Sequence, residues 1–264
     1  MSELTPDQER RYNRQLIMPE IGQEGQVRLR ASSVLVVGTG GLGSPVLFYL
    51  AGAGVGRLGI LDDDQVDLSN LQRQILHRTD GLGMDKVESA RQALQRLNPD
   101  VALDLHKCRL TEENASSLIA PYDVVVGAVD NLATRYVLNA ACVMMRKPLV
   151  EAGVSGFSGM ATTIIPTKTP CYHCLFPRPE AGLQEPRYKG IIGALAGLMG
   201  TIEALETIKL LLGQGELLTG RLLFVDSLSM GFREIDVERN PECPICKDEN
   251  GTTRSPSRAS PNDH

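Results

Sequence analysis

Val34-Leu-Val-Val-Gly-Thr-Gly-Gly-Leu-Gly43 runs a short apolar strand straight into a glycine-rich turn. Such a turn leaves backbone N–H groups at a helix N-terminus free to hold phosphate, so the stretch reads as a nucleotide site through Gly38, Gly40, Gly41 and Gly43. Further along, Leu58-Gly-Ile-Leu-Asp62 is a second apolar run. Its final carboxylate stands about twenty residues past the glycines, where it can accept hydrogen bonds from ribose hydroxyls. Asp64-Gln-Val-Asp-Leu-Ser-Asn-Leu-Gln-Arg-Gln74 and Gly83-Met-Asp-Lys86 come next. A glycine fingerprint with an acid also fits a nicotinamide-dependent dehydrogenase, but the cations Arg73 and Lys86 suit a triphosphate better. Each residue has a plainer reading as well: Arg73 and Lys86 as surface charges, and Asp62, Asp63, Asp64 and Asp67 as caps on the following turns.

The rest of the chain frames that mouth. Its 264 residues suffice for one core. With 27 basic against 32 acidic residues and no dense Lys/Arg cluster, nucleic acid is not an expected ligand. No apolar run is long and pure enough to span a bilayer, and Met1 to Arg14 is polar and charged where a signal peptide needs an apolar core. The expected location is therefore cytoplasmic, without membrane contact.

Thr5-Pro6 opens a helix from Pro6 to Leu16 that carries Arg10, Arg11, Tyr12 and Arg14, a solvated basic face on pattern alone. Ile21 to Arg30 is a short link or helix. Beyond the glycine loop the expected elements are a helix over Pro45–Ala53, an amphipathic helix over Asp85–Leu97 stopped by Asn98-Pro99, and a strand over Val101–Leu105. A helix over Thr111–Ile119 follows, with an imperfect capping box ending at Asn114. Asp123 to Ala128 is a further buried strand, and the acid beyond it, Asp130, either caps the helix that starts at Leu132 or holds Mg²⁺ against phosphate oxygens. Strand alternating with helix four times implies an α/β fold with a doubly wound, Rossmann-like parallel sheet, whose ligand site lies outside the strands' carboxyl ends. Asp62, Arg73, Lys86 and Asp130 can all converge there.

After a helix over Thr134–Met145 the pattern changes. Pro148–Ala152 is a short strand, Gly156–Pro166 alternates as an antiparallel strand added to the sheet, Ala194–Leu212 is a long helix, and Arg221–Ser227 and Gly231–Val237 form a hairpin. Two Cys-x-x-Cys pairs, Cys171/Cys174 and Cys243/Cys246, bracket this half. Each pair can clamp one side of a tetrahedral ion, and a four-thiolate zinc site leaves no open position, so the metal would be structural. A redox dithiol and plain buried thiols are the alternatives. His173 is expected at the surface, and Cys108 and Cys142 are expected to be buried. The residues from Asn250 onward lack apolar side chains and read as a disordered tail.

These motifs together resemble a known family. Arg11-Tyr-x-Arg-Gln15, Gly38-x-Gly-Gly-x-Gly43, Asp62 to Asp64, Ser69-Asn-Leu-x-Arg-Gln74, Gly83-x-x-Lys86, Asp130-Asn131-x-x-x-Arg135 and the two cysteine knuckles look like the MoeB/ThiF group, bacterial relatives of ubiquitin-activating enzymes. The match runs from about Thr5 to Lys247, and within the group it leans toward MoeB, the adenylyltransferase of molybdopterin synthase. The resemblance implies adenylation of the C-terminal glycine of a ubiquitin-like sulfur carrier ending in Gly-Gly, with ATP and Mg²⁺ used and pyrophosphate released. It implies that Gly41 lies at the phosphate loop and that Asp62 holds the ribose. Asp64 and the run Ser69, Asn70, Leu71, Gln72, Arg73 and Gln74 line the nucleotide. Lys86 contacts phosphate, Asp130 holds magnesium, and Asn131 assists. It also implies a homodimer, because Arg14 reaches the neighbouring subunit's ATP. On this basis residues 1–249 form one adenylating domain, with a nucleotide-binding half over about 1–150 and a carrier-binding, zinc-holding half over about 151–249, and 250–264 form the tail.

Several relatives place a cysteine in the crossing segment before the long helix, whereas Gln184-Glu-Pro-Arg-Tyr-Lys-Gly190 has none, so no covalent enzyme–carrier link is expected. No rhodanese-like stretch follows Asn250, so sulfur is expected from a separate donor protein. The segment Tyr188 to Gly193 is the candidate cover over the carrier's tail. Ala194 stands where relatives commonly have Pro, which leaves the carrier's identity open. The rival activities are a nicotinamide-dependent oxidoreductase, a tRNA-nucleoside dehydratase of the same superfamily, and a non-catalytic scaffold.

Overall fold

The computed structural model describes residues 4–178 and 190–247. The expectations for the crossing segment from 179 to 189, including Tyr188 and Lys189, and for the tail lie outside the described residues. Helices α1 (Pro6–Leu16) and α2 (Gly22–Ala31) precede strand β1 (Ser33–Val37). Then α3 (Gly43–Ala53), β2 (Arg57–Leu61), α4 (Lys86–Leu97), β3 (Ala102–His106), α5 (Glu112–Ile119), β4 (Val124–Gly127), α6 (Leu132–Met144) and β5 (Leu149–Ser155) alternate. The second half adds β6 (Ser158–Ile164), the short α7 (Tyr172–Leu175), the long α8 (Gly193–Leu212), β7 (Arg221–Asp226) and β8 (Gly231–Asp236).

All eight strands form one mixed sheet in the order β3-β2-β1-β4-β5-β6-β7-β8. The first five are parallel, and β6, β7 and β8 are each antiparallel to the strand before. Successive side chains of a strand point to opposite faces, so the unbroken apolar run of β1 must feed two cores. Val34 and Val36 enter the core shared with Leu47, Leu50, Leu94 and Met199, and Leu35 and Val37 enter the one shared with Ile119, Tyr122 and Leu138. The sheet is thus covered on one face by α3, α4 and α8 and on the other by α5, α6 and α7. Strand order reverses at β1, with β2 on one side and β4 on the other, and a reversal of this kind leaves a crevice at the strands' carboxyl ends.

Local differences from the sequence expectations have local causes. The segment at 21–30 is helical, and the glycine-loop helix begins at Gly43 rather than Pro45. The Thr111 capping box closes after all, because the Asn114 side chain accepts from the Thr111 amide at 2.8 Å in place of a glutamate. Helix α6 is capped by Asn131, whose Oδ1 accepts from the Thr134 amide at 2.9 Å, so Asp130 is not the cap. Cys142 is buried as expected, but Cys108 is only half-buried, because it sits in the turn after the half-exposed edge strand β3. His173 is not a free surface residue either: it lies half-buried inside the cysteine knuckle, with Nδ1 3.8 Å from Cys243 Sγ.

Candidate active site

The crevice at the carboxyl ends of β1, β2 and β4 is a cavity of about 410 Å³. Asp62, Arg73, Gln74, Lys86 and Asp130 all line it, together with Gly38, Gly40 and Gly41. Its floor is backbone because side chains are sterically excluded. Gly38 has φ +97°, and a Cβ there would stand 2.5 Å from the Ala128 carbonyl oxygen; a Cβ on Gly43 would drive into the Gly38 carbonyl. Gly43 is therefore a packing residue beneath the loop rather than part of the cavity wall.

Asp62 closes β2 and is held rigidly. The Thr39 amide and hydroxyl both donate to its Oδ2 at 2.8 Å, and the Asp64 amide donates to Oδ1 at 3.0 Å. Of the neighbouring acids, Asp67 does cap a turn, accepting from the Ser69 amide at 2.8 Å. Asp64 instead pairs with Lys86, Nζ to Oδ2 at 2.8 Å. Lys86 opens α4 with its side chain only 4 % exposed, so a buried ammonium has one exposed carboxylate for company and a free approach from the cavity. Such a cation gains from further anionic oxygens.

Ser69, Asn70, Leu71 and Gln72 lie on the turn beside the cavity rather than in its wall. Their work is to present Arg73, whose guanidinium donates to Asn70 Oδ1 at 2.9 Å and to the Ser69 carbonyl at 3.4 Å. Gln74 is buried, and among the described residues its Oε1 has no partner although the side chain lines the cavity. An orphaned buried amide in a crevice that also presents Arg73 and Lys86 is a waiting ligand for a polar guest. Asp130 is exposed at the mouth, and Asn131 beside it is already engaged as the α6 cap.

The cavity wall beyond Asp130 rests on a buried ionic cluster that sequence reading did not place. Arg135 donates to the Ala152 carbonyl at 2.8 Å and to the Val129 carbonyl at 2.5 Å, and it pairs with Glu151. Glu203 of α8 is fully buried nearby, and burial pushes its carboxyl up to about 8 against the opposing pull of Arg135. One guanidinium thus faces two carboxylates. Glu151 takes the ion pair and Glu203 keeps its proton at neutral pH. The hold on Val129 fixes the backbone next to Asp130.

Away from the cavity, Cys171, Cys174, Cys243 and Cys246 form one cluster within the second core, all four sulfurs within 4.8 Å of one another. Sulfur separations of 3.9, 3.7 and 3.4 Å compare with the roughly 3.8 Å edge of a tetrahedron with 2.3 Å zinc–sulfur bonds. The set can hold such an ion. Asn139, buried in α6, donates to Cys171 Sγ at 3.6 Å while its Oδ1 accepts from the Tyr172 amide at 2.9 Å. No pattern in the sequence singled out Asn139, Thr39 or His77.

Arg14 is exposed on α1 and does not line this chain's own cavity. Its helix is anchored by Tyr12, whose hydroxyl accepts from Asn98 Nδ2 at 2.8 Å, and by Gln15 donating to the Ala53 carbonyl at 3.0 Å. Among the described residues no helix is long and apolar enough to cross a membrane.

The profile of the ThiF family matches residues 12–245. A sulfur carrier protein adenylyltransferase from Thermus thermophilus is 46 % identical over 246 residues, covering 90 % of this chain and 91 % of the relative. An adenylyltransferase and sulfurtransferase MOCS3 from Anopheles gambiae is 45 % identical over 251 residues, covering 94 % of this chain but 57 % of the relative, so the chain spans little more than half of that protein. Among solved structures, Escherichia coli MccB with MccA-N7isoASN superposes with a TM-score of 0.82 at 22 % identity, covering 91 % of this chain and 75 % of that one, a likeness of fold.

Proposed function

The chain belongs to the ThiF family, and on that premise we propose that it adenylates the C-terminal glycine carboxylate of a ubiquitin-like sulfur-carrier protein. The carboxylate oxygen attacks the α-phosphorus of ATP, the bond to the bridging oxygen of the β-phosphate breaks, and pyrophosphate leaves from an acyl-adenylate. The relative named a sulfur carrier protein adenylyltransferase, matched over nearly its whole length, supports the reaction class. The observation that carries the reading is the convergence of Asp62, Arg73, Lys86 and Asp130 on one glycine-floored cavity.

An anion must strike a polyanion here, so neutralising charge and aligning the in-line approach are the main tasks. Arg73 and Lys86 meet the phosphates, Asp62 receives the ribose hydroxyls, and Gln74 offers its free amide oxygen. The partner's Arg14 completes the charge in a homodimer. Magnesium at Asp130 would neutralise phosphate oxygens, and zinc in the four-cysteine cluster would tie the C-terminal knuckle to α7. No general base is needed, because a terminal carboxylate is already ionised at neutral pH. The sequence Gln184 to Gly190 carries no cysteine, and on that ground the transfer is proposed to run without a covalent enzyme–carrier link.

Residues up to about 150 hold the nucleotide, and those from 151 to 249 receive the carrier. Gly190 and Ile191 line the cavity beside Val154 and Ser155, where a thin Gly-Gly tail would enter. The exposed Phe224 and Ile235, which share one face of the β7–β8 hairpin, give the carrier's body an apolar seat. Exchange of labelled pyrophosphate into ATP that depends on a Gly-Gly-ending carrier, and that falls at least about 100-fold in Arg73→Ala, is the expected result. Binding of NAD without exchange, or ATP hydrolysis stimulated by tRNA and not by carrier, would overturn the reading.

A further inference from the structure

His77 is 5 % exposed, lies under the glycine loop, and touches nothing in the cavity. Its ring joins two elements that no backbone hydrogen bond joins at this point. Nδ1 stands 3.0 Å from Ser89 Oγ in the first turn of α4, and Nε2 stands 3.1 Å from the carbonyl oxygen and 3.4 Å from the hydroxyl of Thr39 in the glycine loop. The proton positions follow from chemistry. A carbonyl oxygen only accepts, so Nε2 carries the hydrogen and Nδ1 accepts from the Ser89 hydroxyl. The Thr39 hydroxyl is then free to give its own proton to Asp62, as the 2.8 Å contact requires.

We propose that His77 is a positioning residue of the nucleotide site, a strut that fixes the ribose carboxylate of Asp62, through Thr39, to the helix turn that carries the phosphate cation Lys86. Thr39 is fully buried, and among the described residues no other hydrogen bond joins it to α4. Among the described residues its carbonyl otherwise receives only the longer Ser44 hydroxyl bond at 3.3 Å. Burial pushes the imidazole below its ordinary range, which keeps the ring neutral and its two nitrogens in distinct roles; Lys86 and Asp62 are the charged groups that face it. The strut acts on the end of the site that reads the sugar, since both of the Thr39 donors end on Asp62.

The inference rests on the nucleotide reading above, and its test separates the two. Calorimetric titration of the full chain, without carrier, measures binding of AMP and of inorganic pyrophosphate to the native protein, His77→Phe and His77→Gln. Phe keeps the aromatic volume and loses both hydrogen bonds; Gln can still reach the Thr39 carbonyl. The strut predicts AMP affinity weakened on the order of tenfold in the Phe variant, with partial recovery in Gln and pyrophosphate affinity held within about twofold. Native AMP binding with an unchanged Phe variant overturns the strut alone. Equal weakening of AMP and pyrophosphate, together with a lower melting temperature without ligand, marks His77 as a packing residue and also overturns it. A native chain that binds neither overturns the nucleotide reading with it.

Discussion

Glu203 shows how a single side chain can shape the pH response of the whole protein. Its carboxyl is raised from 4.5 to about 8, by burial first, with Arg135 pulling the other way. Between those values the native chain holds a proton that the unfolded chain has released, so stability falls as pH rises through the window and levels off above it. The swing is on the order of a few kcal/mol. Urea titrations from pH 5 to pH 9 are expected to show the native protein losing ground that Glu203→Gln retains, and parallel curves for the two would refute the assignment. Asp130, by contrast, meets solvent at the cavity mouth, where its charge is available to a guest. Asp130→Asn is expected to lower exchange at least about 100-fold while leaving the melting temperature within about 2 °C, because among the described residues its side chain makes no hydrogen bond or ion pair and acts on buried Arg135 only through its charge.

At the scale of elements, helix α6, the cysteine knuckle and the glycine loop are secured by different means. Helix α6 starts on one side-chain cap, and Asn131→Ala is expected to cost about 1 kcal/mol in urea unfolding; an unchanged midpoint would mean the Thr134 amide finds another acceptor. The knuckle that holds α7 against residues 243–246 has little regular structure of its own. Three of its four sulfurs lie buried in the second core, and the fourth, Cys174, packs against that core half-buried. With zinc bound to four thiolates, elemental analysis should find one zinc per chain. Cys243→Ser should lose the metal and melt at least about 5 °C lower before the exchange reaction suffers. Full metal content in that variant would show that the cluster is not the site. The glycine loop is secured by a third means, backbone packed so closely that a methyl group at Gly38 would meet the Ala128 carbonyl.

For the whole molecule, the exposed position of Arg14 makes the strongest demand, since a residue placed far from its own cavity acts only if a second copy brings it there. In a twofold dimer, mixing inactive Arg14→Ala with inactive Arg73→Ala should restore one intact site in each mixed dimer, about a quarter of native activity. No recovery after subunit exchange would leave Arg14 without a catalytic part. The sequence by itself determined the alternation of strands and helices, the glycine floor, and the placing of Asp62, Lys86 and Asp130 at strand ends and helix starts with Arg73 on the connection between β2 and α4. Those features follow from short-range backbone rules: period, turn chemistry, and the exclusion of side chains where the chain doubles back. The paired cysteines were legible for the same reason, each pair being a local clamp. Only the tertiary structure decided that Thr39 and His77, 38 residues apart, brace Asp62, or that Arg135 on α6 and Glu203 on α8 are buried together behind the turn that carries Asp130. Such partners leave no periodic mark, because their contact depends on how helices seat across both faces of a sheet, and that seating is fixed by core packing distant in sequence from the groups it brings together.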